Sequence, residues 1–81
     1  MIIDGRSLGS GIEKEHDLCV VGSGVAGMLL VMELAQTYKD ICVVESGAWK
    51  PDDDTQLLYA LNSVGHPIRK HYQSRIRYFG G

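Results

Sequence analysis

The stretch that decides the fold is CVVGSGVAGMLLVMEL, residues 19–34, and it is followed by ICVVESG, residues 41–47. A short apolar run, DLCVV at residues 17–21, ends at a glycine and is typical of a strand buried on both faces. After the glycines, residues 25–38 repeat apolar side chains at the i, i+3, i+4 and i+7 positions of a helix. The sequence therefore predicts a strand, a tight turn and a helix, in this order.

A second strand follows the helix after a very short linker. Residues 41–45, ICVVE, are apolar and partly β-branched up to the glutamate. Strand, helix and strand within about 30 residues form one βαβ unit with a right-handed crossover. Such a sheet needs further strands, and a helix that is apolar on nearly all sides is usually covered on two of them. We therefore predict the α/β class: an N-terminal βαβ unit of a Rossmann-like domain with an incomplete sheet.

The first fifteen residues are polar and interrupted by glycines, so residues 1–15 are predicted to form a lead-in loop. Within them, MIID at residues 1–4 is the one candidate for a short edge strand. These residues lack the apolar core of a signal peptide. The longest apolar stretch, residues 25–32, is far shorter than the roughly 18–20 residues of a membrane span. We therefore expect a soluble, cytoplasmic chain with no membrane span.

Beyond the second strand, the loop SGAWKPDDD leads to a second predicted helix over residues 55–62. Asp53 or Asp54 is the expected N-cap, because an aspartate just before a helix accepts hydrogen bonds from its first N–H groups. Gly65 and Pro67 are expected to end this helix. The following HYQSRIRYF, residues 71–79, alternates weakly and is expected to be extended.

Composition restricts the classes of partner. The net charge of −2 does not favour a polyanion, and the aromatic residues show no stacking pattern, so no nucleic-acid partner is expected. The apolar content of 44% is too high for a disordered chain. Cys19 and Cys42 lie in apolar runs and are expected to be buried free thiols, with no metal site.

The glycine motif supplies a specific chemistry. Residues 22–27, GSGVAG, match GxGxxG between a predicted strand and a predicted helix. Gly22 would allow the tight turn, Gly24 would let a pyrophosphate approach the backbone, and Gly27 would let the helix pack closely. The N-terminus of the helix offers N–H groups and partial positive charge to the phosphates.

Glu45 completes the pattern at the end of the second strand. It follows the glycine motif at roughly the 20-residue spacing of the acid that binds a dinucleotide ribose. Its carboxylate can accept hydrogen bonds from two ribose hydroxyls, and it would repel a 2′-phosphate, which disfavours NADP. This unit alone does not distinguish FAD from NAD, since both contain ADP.

The chain resembles the start of the glucose–methanol–choline (GMC) family of flavoprotein oxidoreductases over roughly residues 16–81. Three features carry the resemblance: the GxGxxG with its acid as Glu-Ser-Gly, the loop and helix directly after that acid, and RIRYFGG at residues 75–81. The last is similar to a family segment in which a double glycine lies against the cofactor. The first feature is shared with many nicotinamide proteins and does not distinguish the two cofactors. The resemblance of the last segment to a flavoprotein family is therefore what favours FAD.

The resemblance implies a cofactor site and an activity. It implies that residues 16–81 are a partial FAD-binding domain, that the intact enzyme oxidises CH–OH donors such as a small-molecule alcohol, and that the substrate domain is absent here. The candidate FAD-binding residues are Gly22, Ser23, Gly24, Val25, Ala26 and Gly27 at the turn, Glu45 and Ser46 after the second strand, and Arg75, Gly80 and Gly81 in the last segment. The basic residues Arg69, Lys70, Arg75 and Arg77 could balance the phosphate charges.

No catalytic residue is expected in this chain. The family's catalytic histidine comes from the C-terminal part, and His16, His66 and His71 do not match it. We therefore expect a fragment that binds cofactor without performing the reaction. Two alternatives stay open: a binding-only remnant with no catalysis, motivated by the missing half, and a fragment of an NAD-dependent dehydrogenase, motivated by the shared glycine motif.

Overall fold

Two parallel strands joined by a helix lie at the centre of the computed structural model, which describes residues 1–60, 62, 64–66 and 75–81. This is a small α/β arrangement with an incomplete sheet, consistent with a partial βαβ unit. The elements are β1 (Leu18–Val21), α1 (Val25–Leu34), β2 (Ile41–Val44) and α2 (Asp53–Gln56), with 3₁₀ turns at Gly5–Ser7 and Leu57–Tyr59.

The two strands pair in parallel, with Leu18 opposite Ile41 and Val21 opposite Val44. The ladder continues one residue into the turn, where the N–H of Gly22 donates to the carbonyl of Val44 over 2.8 Å. Gly22 has a φ of +97°, a conformation that favours glycine. The chain therefore leaves β1 at an angle that only glycine adopts without strain.

Helix α1 lies against β1 through Gly27. A Cβ at Gly27 would lie 2.0 Å from the carbonyl oxygen of Gly22 and 3.5 Å from Cγ1 of Val20. No real Cβ lies so close to a backbone oxygen, so glycine is required at this position. The expected role of the third glycine, close packing of helix and strand, agrees with this geometry.

Helix α1 begins at Val25 as predicted but ends at Leu34, before the expected boundary near residue 38. The carbonyl of Leu34 accepts hydrogen bonds from the N–H groups of both Thr37 and Tyr38, at 2.9 and 2.8 Å. This turn reverses the chain so that it can enter β2 at Ile41. The periodicity of the apolar residues continues through the turn, which is why the sequence overestimates the helix.

The second helical segment differs more from its prediction. Asp52 is the N-cap in place of Asp53 or Asp54, and its side chain accepts a 2.9 Å hydrogen bond from the N–H of Thr55. The helix α2 lasts four residues and tightens into the 3₁₀ turn Leu57–Tyr59, after which Ala60 is extended. The expectations for the end of this helix at Pro67 and for an extended segment over residues 71–79 lie largely outside the described residues.

Apolar side chains are exposed on both layers. Among the described residues no apolar side chain is buried, and α1 exposes Val25, Leu29 and Met32 by 73, 61 and 68%. Cys19 and Cys42 are free thiols, but the expectation that they are buried is wrong, because Cys19 is exposed and Cys42 is only partly covered. The alternation of strand faces puts Cys19 on the face opposite α1, where it lines an open cavity together with the lead-in residues Leu8 and Ile12.

The lead-in is irregular, as predicted, but residues 1–4 do not form an edge strand. The carboxylate of Asp4 accepts from the N–H of Arg6 and forms an ion pair with its guanidinium at 2.8 Å, which caps the first 3₁₀ turn. No helix in the described part of the chain has both the length and the apolar character needed to cross a membrane.

We expect Gly27→Ala to destabilise the fold, although alanine is the better helix former. Its Cβ would overlap the carbonyl of Gly22, and overpacking of this kind costs roughly 1–3 kcal/mol. Urea unfolding followed by circular dichroism measures the change. Gly5→Ala is the matched control, because its Cβ would meet no atom within 4 Å. Equal stability of the two variants would contradict the proposed contact.

Candidate functional site

The carboxylate of Glu45 is the centre of the candidate site. One oxygen, Oε2, accepts from the backbone N–H of Ser23 at 2.8 Å and from its hydroxyl at 2.7 Å. The other, Oε1, accepts from the N–H of Gly47 at 2.8 Å and lies 3.4 Å from the hydroxyl of Ser46. Parallel strands bring their carboxyl ends to one edge, so the turn after β1 and the acid after β2 become neighbours.

Ser23 connects this carboxylate to the last described segment of the chain. It is fully buried, and among the described residues it is the only one that is. Its hydroxyl donates to Glu45 and accepts a 2.9 Å hydrogen bond from the N–H of Gly80. One side chain therefore ties together the glycine turn, the loop after β2 and residues 75–81, as both a donor and an acceptor.

These bonds keep Glu45 ionised. Its partial burial alone would raise the pKa, but the hydrogen bonds from Ser23, Gly47 and Ser46 outweigh burial and lower the pKa from 4.5 to about 2. A carboxylate that accepts several N–H and O–H groups is stabilised in its charged form. At neutral pH the site therefore contains a fixed negative charge beside the turn.

The same bonds limit what Glu45 can offer a ligand. A carboxylate has about four acceptor positions, and three of them receive hydrogen bonds of 2.7–2.8 Å. Only the 3.4 Å contact with the Ser46 hydroxyl is weak enough to be exchanged readily. One ribose hydroxyl could take that place at Oε1, whereas the sequence suggested two.

The N-terminus of α1 is open beside Glu45. Gly24 is the N-cap and makes no side-chain cap, and the first intrahelical bond runs from the N–H of Met28 to the carbonyl of Gly24, at 2.9 Å. The N–H groups of residues 25–27 therefore have no acceptor within the helix. Val25 and Ala26 are exposed. These donors and the helix dipole fit the charge of a pyrophosphate.

Residues 75–81 pack on the loop after β2. Ala48 and Tyr78 form a parallel bridge, and the N–H of Phe79 donates to the carbonyl of Ala48 over 2.9 Å. The rings of Trp49 and Phe79 lie 4.9 Å apart. Gly47 makes this contact possible, since a Cβ there would lie 2.4 Å from Cα of Tyr78. Gly47 is the glycine of the Glu-Ser-Gly motif, and no pattern in the sequence indicates this packing role.

The double glycine, which the resemblance places against the cofactor, lies against the glycine turn in the structure. Gly80, at a φ of +83°, donates to Ser23, and a Cβ at Gly24 would lie 3.1 Å from the carbonyl oxygen of Gly81. The backbone of this segment is therefore a second wall of the candidate site. A side chain at Gly24 would meet that wall, so glycine serves close backbone approach here even before a ligand is considered.

Arg75 and Arg77, both expected to balance phosphate charges, have different surroundings in the structure. Arg75 is exposed, and its carbonyl accepts from the side-chain amide of Gln56. Arg77 is half-buried, with its guanidinium 4.3 Å from the centre of the Tyr59 ring. Its Nε is buried and has no hydrogen-bond acceptor among the described residues. Arg77 therefore anchors the segment, while Arg69 and Lys70 lie outside the described residues.

A groove of about 850 Å³ adjoins Glu45 at the carboxyl end of β2. Ligands of open α/β sheets bind at this end of the strands, and the volume is within the range of small-molecule sites. The loop after β2 and Phe79 line this groove, and so does the lead-in at Ile2 and Ile3. No local pattern in the sequence indicates that the lead-in lies at this groove.

The histidines stay apart from the site. The ring of His16 contacts the carboxylate of Asp40 at 3.0 Å, at the opposite end of the strands. His66 is exposed, and His71 lies outside the described residues. The described part of the chain contains no cluster of three or more acidic, histidine or cysteine residues suited to a metal ion.

Comparison with protein-family models, with curated proteins and with solved structures finds no match for this chain. What can be said of its function therefore depends on the geometry around Glu45 and on the resemblance of its motifs.

We expect Ser23→Ala to release residues 75–81 from the turn. The substitution removes the acceptor of the Gly80 N–H and one donor to Glu45, at a cost of about 1 kcal/mol per bond. Hydrogen exchange should show faster exchange of the Gly80 amide. Ser46→Ala is the matched control, because it removes only the 3.4 Å contact. Unchanged exchange at Gly80 in Ser23→Ala would contradict the connection.

The low pKa of Glu45 predicts a pH-dependent contribution to stability. Because its folded pKa of about 2 lies below the ordinary 4.5, the contribution is complete above about pH 4.5 and is lost as the pH falls toward 2. Glu45→Gln should therefore cost roughly 1–3 kcal/mol at neutral pH, and the difference from wild type should shrink below pH 4.5.

Urea unfolding of both proteins across this pH range measures that difference. Asp4 and Asp52 also have lowered pKa values, each held down first by a side-chain hydrogen bond, from Arg6 and Thr55. Asp4 and Asp52 titrate in both proteins, so their contributions cancel in the difference between the two free energies of unfolding. They would not cancel in the wild-type curve alone. A difference that does not change with pH would show that the Glu45 charge is not stabilising.

Proposed function

We propose that this chain contributes the part of a GMC-type flavoprotein oxidoreductase that binds the ADP moiety of FAD. The intact enzyme would act on CH–OH donors, with a small-molecule alcohol as substrate. The chain itself would bind and position the cofactor without supplying catalytic residues. When bound, FAD supplies the redox chemistry by accepting a hydride, and the protein contributes binding and orientation.

One observation carries the proposal: the open N-terminus of α1, the ionised Glu45 and the double-glycine segment meet at the carboxyl ends of the two strands. Each of the three suits a different part of one ligand. The helix N-terminus suits a pyrophosphate, the carboxylate suits a ribose, and bare backbone suits close approach of a flat or charged group.

Different residues would bind different parts of the ligand. The N–H groups of residues 25–27 would hold the pyrophosphate, and Oε1 of Glu45 would accept one ribose hydroxyl in place of Ser46. The groove beside Glu45, with Trp49 and Phe79 among its lining residues, would hold the adenine. The remaining bonds of Glu45 would keep the turn in place while the ligand binds.

The choice of dinucleotide follows from charge and from residues 75–81. An ionised Glu45 repels a 2′-phosphate, which disfavours NADP. FAD is favoured over NAD by the docked double glycine, the feature that the GMC resemblance assigns to the flavin side. The proposed fold of the complete unit is accordingly a Rossmann-like FAD-binding domain. The proposed location of the protein is the cytoplasm.

Calorimetric titration of the 81-residue chain with FAD, ADP, NAD and FMN tests the proposal. We expect FAD and ADP to bind and FMN, which lacks ADP, to bind far more weakly. Ala26→Asp should weaken FAD binding at least about tenfold, or about 1.4 kcal/mol. The new carboxylate would repel the pyrophosphate, yet an acid in the first turn favours the helix, so the fold should persist.

Ala60→Asp is the matched control, because it introduces the same charge at an exposed position after the Leu57–Tyr59 turn. It should leave FAD binding nearly unchanged. Tighter binding of NAD than of FAD would favour the dehydrogenase alternative. Equal binding of FMN and FAD, or no effect of Ala26→Asp, would show that the ADP moiety is not held at this turn.

A further inference from the structure

Two cysteines face each other across the sheet. Cys19 of β1 and Cys42 of β2 are direct partners in the parallel register. Paired positions of neighbouring strands project from the same face of the sheet, at a strand spacing of about 4.8 Å. The Cα atoms joined by a disulfide are about 4.4–6.8 Å apart. The register therefore places these two residues at a separation that a disulfide can span.

The face that carries both cysteines is accessible. Helix α1 covers the opposite face, where Gly27 approaches Val20. Cys19 is exposed, Cys42 is partly exposed, and both line an open cavity of about 790 Å³. A dissolved reagent of small-molecule size can therefore approach the sulfur of Cys19.

We propose that Cys19 and Cys42 form a reversible intramolecular disulfide, with a small-molecule disulfide of the glutathione class as oxidant. The site is spatially separate from the proposed cofactor site, because it lies on the face of the sheet away from α1. Neither cysteine contacts the glycine turn through any hydrogen bond of the described residues.

The reaction proceeds by two thiol–disulfide exchanges. The Cys19 thiolate attacks one sulfur of the oxidant, forms a mixed disulfide and releases one small thiol. The Cys42 thiolate then attacks the sulfur of Cys19, closes the protein disulfide and releases the second small thiol. Two electrons pass from the two cysteines to the oxidant, and the two thiol protons end on the released thiols.

The order of attack follows from exposure. Cys19 is the more accessible thiol, so it meets the oxidant first. Burial raises the pKa of Cys42, and the neighbouring Cys19 raises it further, so less of Cys42 is thiolate and it attacks only after the mixed disulfide has formed beside it. Asp40 raises that pKa as well, and the smaller opposing effect of Lys14 does not reverse the shift.

The disulfide would join β1 to β2 across the whole crossover, which contains the glycine turn and α1. A cross-link that closes a loop reduces the freedom of the unfolded chain, so it stabilises the folded βαβ unit. Reducing compartments keep such exposed disulfides open, and oxidation closes them. The site would thus couple the rigidity of the glycine turn to the thiol redox state of its surroundings.

Equilibration of the 81-residue chain with mixtures of reduced and oxidised glutathione tests the proposal. Mass spectrometry of the alkylated protein should show loss of both free thiols and a peptide cross-linked between Cys19 and Cys42. The effective concentration of one thiol relative to the other should be at least roughly tenfold higher in the folded chain than in the same chain in concentrated urea. The oxidised form should also melt higher, by roughly 10 °C.

The matched control moves one thiol out of register. The double variant Cys19→Val, Val20→Cys keeps two cysteines but turns one toward α1, so it should accumulate mixed disulfides and little cross-link. The single variant Cys42→Ser should stop at the mixed disulfide on Cys19. The proposal is overturned if wild type gives only mixed disulfides, or if the double variant or the denatured chain cross-links as readily as the folded wild type.

Discussion

The bonds between Ser23 and the Glu45 carboxylate are the interaction on which the rest of the structure depends. They join the turn after β1 to the end of β2 and, through the Ser23 hydroxyl, to Gly80. Ser23 is fully buried while no described apolar side chain is. A buried polar group without a partner is costly, so the three segments must meet in this arrangement for Ser23 to be satisfied.

In the proposed function, Glu45 has two roles that compete for the same acceptor positions. As a support it holds the glycine turn ready for a ligand, with a charge kept ionised by its donors. As a binding group it retains one weakly used position, at the oxygen near Ser46. If the proposal holds, the site is largely formed before binding, which would reduce the ordering cost of holding a dinucleotide. The affinity would come chiefly from the helix N-terminus rather than from the carboxylate.

The apolar surfaces of the unit remain largely exposed. Helix α1 is apolar around most of its circumference, and Val25 and Met32 remain largely exposed. On the far side of the sheet, Val21 is 84% exposed beside the two cysteines. Two strands and one helix offer too little surface to cover one another, since small units bury a smaller share of their area. Hydrogen bonds and glycine-mediated backbone contacts therefore define the turn, rather than a packed core.

The sequence by itself determined the features that depend on near neighbours: β1 and β2, the start of α1, the glycine turn, and the position of Glu45 at the end of a strand. Local spacing and the conformational freedom of Gly22 were sufficient for these. Only the tertiary structure decided the features that depend on distant segments: the packing of residues 75–81 on Gly47, the use of Glu45 by Ser23, and the exposure of Cys19 opposite Cys42. The physical reason is that strand register and the packing of distant segments depend on contacts between parts of the chain that are far apart in sequence. No local sequence pattern specifies such contacts.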